Sequence, residues 1–191
     1  MKNMMMTFCL IVTIIFIWIW HHQTQFNDHS RRGLFLLKNN ELEPAVSAYT
    51  KAIQHKKNTW FFPQEPSVYN NLGLVYLKQA QYEKAVIAFQ KASSLKPESQ
   101  EAYINLATTY LKQGIPNLAI EFCERAIRIS PHNAATHYNL ACAYALKSDN
   151  QKAMGSLNRA VALDPRMQDL AKHEPAFDNL ESHKSFSFEK D

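Results

Sequence analysis

Residues 69–97 read YNNLGLVYLKQAQYEKAVIAFQKASSLKP, and the pattern of this stretch recurs twice further along the chain. Columns of identical residues follow one another at a fixed interval of 34: Leu72, Leu106 and Leu140; Tyr76, Tyr110 and Tyr144; Ala85, Ala119 and Ala153; Ala92, Ala126 and Ala160; Pro97, Pro131 and Pro165. A small residue follows each leucine, and Phe89, Cys123 and Leu157 lie midway between the paired alanines. So many columns in one register predict an array of one repeated structural unit.

Elementary helix geometry explains the columns. Leu72 and Tyr76 are four residues apart and therefore share a helix face. Gly73 and Ala85 keep side chains short where two helices approach, and Pro97 cannot continue a helix. The spacing predicts a helix over about 67–79 and a second one over about 82–95. One such pair cannot bury its apolar faces alone, but stacked pairs share a continuous core.

Tyr69, Leu72, Gly73, Tyr76, Ala85, Phe89 and Pro97 together resemble the tetratricopeptide-repeat (TPR) motif. The resemblance implies an all-α fold, a TPR helix-turn-helix solenoid wound as a right-handed superhelix. It divides the chain into TPR 2 at 66–99, TPR 3 at 100–133 and TPR 4 at 134–167. It also implies a scaffold that binds other proteins and is not an enzyme.

A weaker copy precedes these repeats. Gly33, Ala45, Tyr49 and Ala52 fit the register with an offset of 40, so residues 26–59 are interpreted as a degenerate TPR 1 and 60–65 as an aromatic insert. Two interpretations of Trp60, Phe61 and Phe62 stay open. They cover the seam between the first two repeats, or they form an exposed patch for a partner or a membrane surface.

The end of the chain is similar to the closing segment of bacterial TPR arrays. We expect a capping helix over 168–182, in which Leu170, Phe177 and Leu180 cover the open end of the stack. Residues 183–191 are expected to form a loose tail.

The N-terminal segment is strongly apolar. Residues 4–20 carry no charge, and 17 residues reach roughly 25 Å as a helix, near the lower limit for crossing a bilayer. Residues 1–23 are therefore predicted to be a transmembrane anchor that contacts lipid through 4–20, with Trp18 and Trp20 at the interface. A signal peptide cleaved near 22–26 is the alternative, although no A-x-A-like site follows Trp20. By the positive-inside rule, the basic residues that follow the apolar segment slightly favour a cytoplasmic position for the repeats. These residues are Arg31, Arg32 and Lys38.

We expect the protein to bind its partner in the groove that the first helix of each repeat lines. An asparagine precedes each leucine of the repeat. In TPR families that bind peptides, this asparagine forms hydrogen bonds with the backbone of an extended segment. A carboxamide suits that task because it both donates and accepts hydrogen bonds. The predicted peptide-binding residues are Asn70, Asn71, Lys78, Asn105, Thr108, Lys112, Tyr138 and Asn139.

Several other kinds of site are not expected. The positions that hold the cations of a carboxylate-binding TPR are Asn70, Glu101, Ala135 and Asn139, so capture of chaperone tails is not predicted. Cys123 and Cys142 are interpreted as buried thiols, and His21–His22 as plain histidines without a metal. A net charge of +4 spread along the chain gives no basic stripe for nucleic acid. No cofactor motif and no acid/base or nucleophile motif is present.

The sequence thus predicts a membrane-anchored scaffold that holds an extended peptide of a partner protein, as an assembly factor for a membrane complex would. The alternative is a secreted or periplasmic TPR interaction protein that signal-peptide cleavage releases.

Overall fold

A computed structural model describes the backbone of residues 2–57 and 64–177 and the side chains of residues 6–56 and 64–177. Within these ranges every regular element is helical, which confirms the all-α prediction. The chain forms two compact units, Met1–Ala80 and Gln81–Asp191. The aromatic insert Trp60, Phe61 and Phe62, the covering residue Leu180 and the tail 183–191 lie outside the described residues.

The described residues of the first unit form three helices. They are α1 (Lys2–Lys38), α2 (Leu42–Lys57) and α3 (Pro66–Lys78). Their shared core includes Leu36, Ala45, Tyr49, Ala52 and Leu72. Gly33 lies directly against Tyr49, because a Cβ atom on this glycine would come within 2.7 Å of the tyrosine ring. Gly33, Ala45, Tyr49 and Ala52, which define the weaker register, thus lie where α1 packs against α2.

Helix α1 differs from the predicted organisation. The sequence separates an anchor at 1–23 from a repeat that begins at 26, but the backbone is one continuous helix from Lys2 to Lys38. No glycine or proline stands between Trp20 and Gly33 to interrupt it. Side chains from Met6 to Trp20 are largely exposed on all sides of this helix. By length and composition α1 is able to cross a membrane, a test that a signal sequence near an N-terminus also passes.

In the part of the second unit that the structure describes, Gln81–Phe177, there are six helices and a short 3-10 turn. They are α4 (Tyr82–Leu95), α5 (Gln100–Lys112), α6 (Pro116–Ile129), α7 (Ala134–Leu146), α8 (Asn150–Leu163), α9 (Arg166–Ala171) and the 3-10 turn Pro175–Phe177. Sequential helices pack against one another from α4 to α8. The alanines at 85, 119, 153, 92, 126 and 160 are all buried, which agrees with their predicted place between helices.

The turn within each repeat uses one backbone conformation. Ala80, Gly114 and Ser148 stand 34 residues apart, and all three have a positive φ, between 56° and 71°. Asn40 adopts the same conformation in the first unit, with φ 61°. In the turns at 40, 114 and 148, the following N–H donates to the carbonyl five residues back, as in Glu41 to Leu36. These carbonyls at helix C-termini thereby gain partners, as in a Schellman motif.

The end of the second unit corrects one expectation. The sequence predicts a capping helix over 168–182 with Leu170 among its covering residues, but α9 ends at Ala171 and Leu170 is 53% exposed. Ala171 and Phe177 are the residues buried against α7 and α8, together with Leu157. Pro175 and the turn at Lys172–His173 break the helix, so the apolar face predicted for one long helix is divided.

Candidate functional site

The face of α5 and α7 carries most of the predicted binding residues of the second unit. Asn105, Thr108 and Lys112 follow a spacing of three and four on α5, so they share one helix face. Leu106, Ala107 and Thr109 point into the core and are fully buried, whereas Asn105 and Thr108 are half-buried and Lys112 is exposed. This face, defined here as Asn105, Thr108, Lys112, Tyr138 and Asn139, is called the α5–α7 face.

A hydrogen bond joins the two helices within this face. The Asn139 Nδ2 atom donates to the Thr108 hydroxyl oxygen at 2.9 Å, and that hydroxyl donates to the Ile104 carbonyl at 3.0 Å. The hydroxyl therefore acts as acceptor and donor together, which fixes its rotamer. The other N–H and the carbonyl oxygen of Asn139 form no hydrogen bond with any residue whose position is described.

Tyr138 belongs to the α5–α7 face and also packs against the C-terminal end of the described part of the second unit. Its ring meets the Phe177 ring edge-on, with 5.8 Å between centroids. Burial raises the pKa of the Tyr138 phenol, and the neighbouring Cys142 and Glu174 raise it further. Tyr138 thus remains protonated and can donate a hydrogen bond over the whole physiological range.

The cysteines of the second unit are core side chains. Cys123 and Cys142 are buried, and burial raises the pKa of each thiol to about 12. A thiol that stays protonated is a poor nucleophile, so these residues pack as small apolar groups.

In the first unit, the predicted binding residues on α3 differ in how exposed their side chains are. Asn70 is only 6% exposed, so its side chain is not presented on an open face as the sequence predicts. Asn71 is half-buried beside the Tyr49 hydroxyl. Burial raises the pKa of Tyr49 to about 12, and the Asn71 side chain opposes part of that rise without forming a hydrogen bond of good geometry. Lys78 is exposed, and its Nζ atom lies 3.5 Å from the Asn40 side-chain oxygen.

Four histidine rings form a cluster in the first unit that the sequence analysis missed. The rings of His21, His22, His55 and His29 follow one another in contact, with centroids 5.9, 5.6 and 5.3 Å apart. The Nδ1 atoms of His22 and His55 are 3.4 Å apart. Burial lowers the pKa of His55 below its ordinary 6.5, and His29, His22 and His21 lower it further by charge repulsion. His55 lies 33 residues from His22, so adjacency in sequence gave no signal of this contact.

The histidine cluster does not have the arrangement of a metal centre. Among the residues whose positions are described, no three His, Cys, Asp or Glu side chains are placed to hold a metal ion.

Comparisons with known proteins agree with this geometry. Residues 66–99 and 101–133 match one tetratricopeptide-repeat family model, and residues 122–155 match a second one. A search of curated proteins finds no match to the chain.

Solved structures provide the fold comparison. The chain is similar to MamA 41-end from Desulfovibrio magneticus RS-1, with a TM-score of 0.71 and 22% identity over 84% of this chain and 88% of that one. It is also similar to a thermophilic TPR protein of Thermus thermophilus, with a TM-score of 0.64 and 23% identity over 80% and 81% of the two chains.

A third similar structure is YrrB, a TPR protein with an unusual peptide-binding site, with a TM-score of 0.63 and 21% identity over 82% and 78% of the two chains. Identities this low show the fold alone. The chain therefore contains tetratricopeptide repeats within residues 66–155, and it has the all-helical fold of TPR proteins.

Proposed function

We propose that this chain is a scaffold that binds an extended segment of a partner protein on the α5–α7 face. The observation that carries the proposal is the polar composition of that face. Asn105, Thr108 and Asn139 stand at helix positions that the core does not require, and the carboxamide of Asn139 matches the N–H and C=O groups of an extended backbone. The peptide-binding site of YrrB, which has the same fold, supports the proposal by analogy.

The hydrogen bond between Asn139 and Thr108 limits how a peptide binds. Because one N–H of Asn139 is already used, its remaining N–H and carbonyl oxygen are the groups offered to a ligand. A backbone amide presents one acceptor and one donor, which these two groups complement. Each such bond contributes about 0.5–1.5 kcal/mol net, so several must act in series.

The test uses a random peptide library displayed against the full chain in mild detergent. Selected peptides should lose about tenfold or more in affinity when Asn105 and Asn139 are both replaced by alanine, which corresponds to at least ~1.4 kcal/mol. The matched control replaces Asn117 and Asn158, two exposed asparagines on α6 and α8. If both double variants bind equally well, or if no peptides are selected, the α5–α7 face is not a peptide site.

We also propose that residues 4–20 anchor the protein in a membrane and that the repeats lie on the cytoplasmic side. The support is an apolar helical stretch whose side chains from Met6 to Trp20 are exposed rather than packed in a core. Such an anchor raises the effective concentration of the α5–α7 face toward membrane partners, as assembly of a membrane complex requires.

The anchor is tested by carbonate extraction, by the mass of the mature N-terminus and by protease protection in intact cells. An intact N-terminus and resistance to extraction support the anchor. A mature chain that begins near 22–26 would support the alternative, a released periplasmic or secreted interaction protein. Digestion of the repeats by protease added outside the cell would contradict the cytoplasmic orientation.

A further inference from the structure

A cavity with positive walls lies between α1 and α2 in the first unit. Its volume is about 130 Å³, and its lining residues are His29, Arg32, Leu36, Pro44, Ser47, Ala48 and Lys51. His29, Arg32 and Leu36 are spaced by three and four on α1, and the α2 residues fall within two turns of that helix, so each set lies on one face. Because a water needs about 10–15 Å³ on this measure, the cavity has room for the four oxygens of a phosphate group.

Two of the residues that line the cavity, Arg32 and Lys51, are cations. Arg32 and Lys51 are exposed and form no ion pair or hydrogen bond with any residue whose position is described. Asp28 and Glu43 are the nearest acids in sequence, but neither lines the cavity. The Glu43 carboxylate instead accepts a hydrogen bond from Gln79 at 2.7 Å. An anion bound in the cavity would interact favourably with both cations.

The other walls suit a small oxyanion. Leu36 and Ala48 are buried and give the cavity an apolar base. Ser47 adds a hydroxyl donor and His29 a ring N–H donor. Arg32 supplies a planar guanidinium that can donate two parallel hydrogen bonds to one phosphate.

We propose that this cavity binds a phosphate group, held by Arg32 and Lys51 with Ser47 and His29 as further donors. The phosphate is carried either by a lipid headgroup at the membrane surface, such as a phosphorylated inositol, or by soluble phosphate. The lipid source rests on the proposed anchor, whereas binding of soluble phosphate does not.

The experiment measures binding to the full chain in mild detergent by calorimetric titration at constant ionic strength. The probes are inorganic phosphate, dioctanoyl phosphatidylinositol phosphate and, as the blank, dioctanoyl phosphatidylcholine. The test variant is R32Q/K51Q. The control is K91Q/R128Q, which removes the same net charge from exposed positions on α4 and α6.

We expect R32Q/K51Q to lower the affinity for phosphate at least tenfold, while K91Q/R128Q leaves it within twofold of the original chain. Equal affinity for inorganic phosphate and the inositol lipid assigns the site to soluble phosphate, and at least tenfold tighter binding of the lipid assigns it to a headgroup. Binding no stronger than the phosphatidylcholine blank overturns the proposal. The same losses in both double variants overturn it as well, because they indicate a general charge effect. Carbonate extraction of each variant reports separately on the anchor.

Discussion

The side-chain nitrogen of Asn139 lies 2.9 Å from the hydroxyl oxygen of Thr108, and this hydrogen bond joins the first helices of two successive repeats. Both residues were predicted from the sequence to contact a ligand, yet in the structure they contact each other. The bond fixes the carboxamide in one orientation before any ligand arrives. A preorganised donor and acceptor lose less conformational entropy on binding, which favours the proposed peptide site.

This hydrogen bond predicts a measurable coupling between the two positions. Replacing Asn139 or Thr108 by alanine should each lower the free energy of unfolding by about 0.5–1.5 kcal/mol. The double variant should be less destabilised than the sum of the two, because the second change removes a partner that has already been lost. Denaturant unfolding of the four chains of this double-mutant cycle measures the coupling. Strict additivity would show that the bond contributes nothing to stability.

Two substitutions at equivalent turn positions are predicted to have opposite effects on the free energy of unfolding. One introduces a glycine and the other removes one. Ala80 and Gly114 occupy equivalent turn positions, with φ of 56° and 71°. An L side chain in this region costs about 1–2 kcal/mol, while glycine adopts it readily. Ala80→Gly should therefore raise the free energy of unfolding by about 0.5–1 kcal/mol, and Gly114→Ala should lower it by a similar amount. Thermal unfolding compares the two, and a loss of stability in Ala80→Gly would contradict the argument.

Gly33 is predicted not to tolerate a side chain. A Cβ atom there would meet the Tyr49 ring at 2.7 Å, and the buried ring has little room to move. Gly33→Ala should lower the free energy of unfolding by about 1–3 kcal/mol through overpacking. Gly155→Ala is the control, because nothing lies within 4 Å of a Cβ atom at that exposed site on α8. It should be neutral or stabilising by up to about 1 kcal/mol.

The sequence predicts the repeated helix pairs but not every feature of their packing. Columns such as Leu72, Leu106 and Leu140 predict helix pairs and their register, because burial of one helix face recurs at a fixed interval. The shared positive φ of Ala80, Gly114 and Ser148 gives no such column, because residue type differs where backbone conformation is the same. The histidine cluster and the Arg32–Lys51 cavity were not predictable either, since both depend on the packing of α1 against a distant segment.

The histidine cluster predicts that acid destabilises the first unit. The pKa of His55 is lowered in the folded chain, so His55 binds a proton less readily in the folded state than in the unfolded state. Protonation of His55 therefore favours unfolding. The stability that His55 contributes is complete above its unfolded pKa of about 6.5 and is lost as pH falls through the lower folded value. His55→Gln should flatten the fall in melting temperature between pH 8 and pH 5. His137→Gln, which changes a histidine in the second unit, should not.

The last prediction concerns Phe177 and Leu170, to which the sequence assigned the same covering role. Phe177 is 2% exposed and its ring packs edge-on against Tyr138, whereas Leu170 is 53% exposed. Phe177→Ala should lower the free energy of unfolding by about 3–5 kcal/mol, since it opens a cavity in a packed cluster. Leu170→Ala should change it by less than about 0.5 kcal/mol, as surface substitutions do. Because Phe177 contacts Tyr138, its loss should also weaken the proposed peptide binding, and Leu170→Ala should leave that binding intact. Comparable destabilisation by both variants would mean that one continuous capping helix covers this end after all, with Leu170 on its buried side.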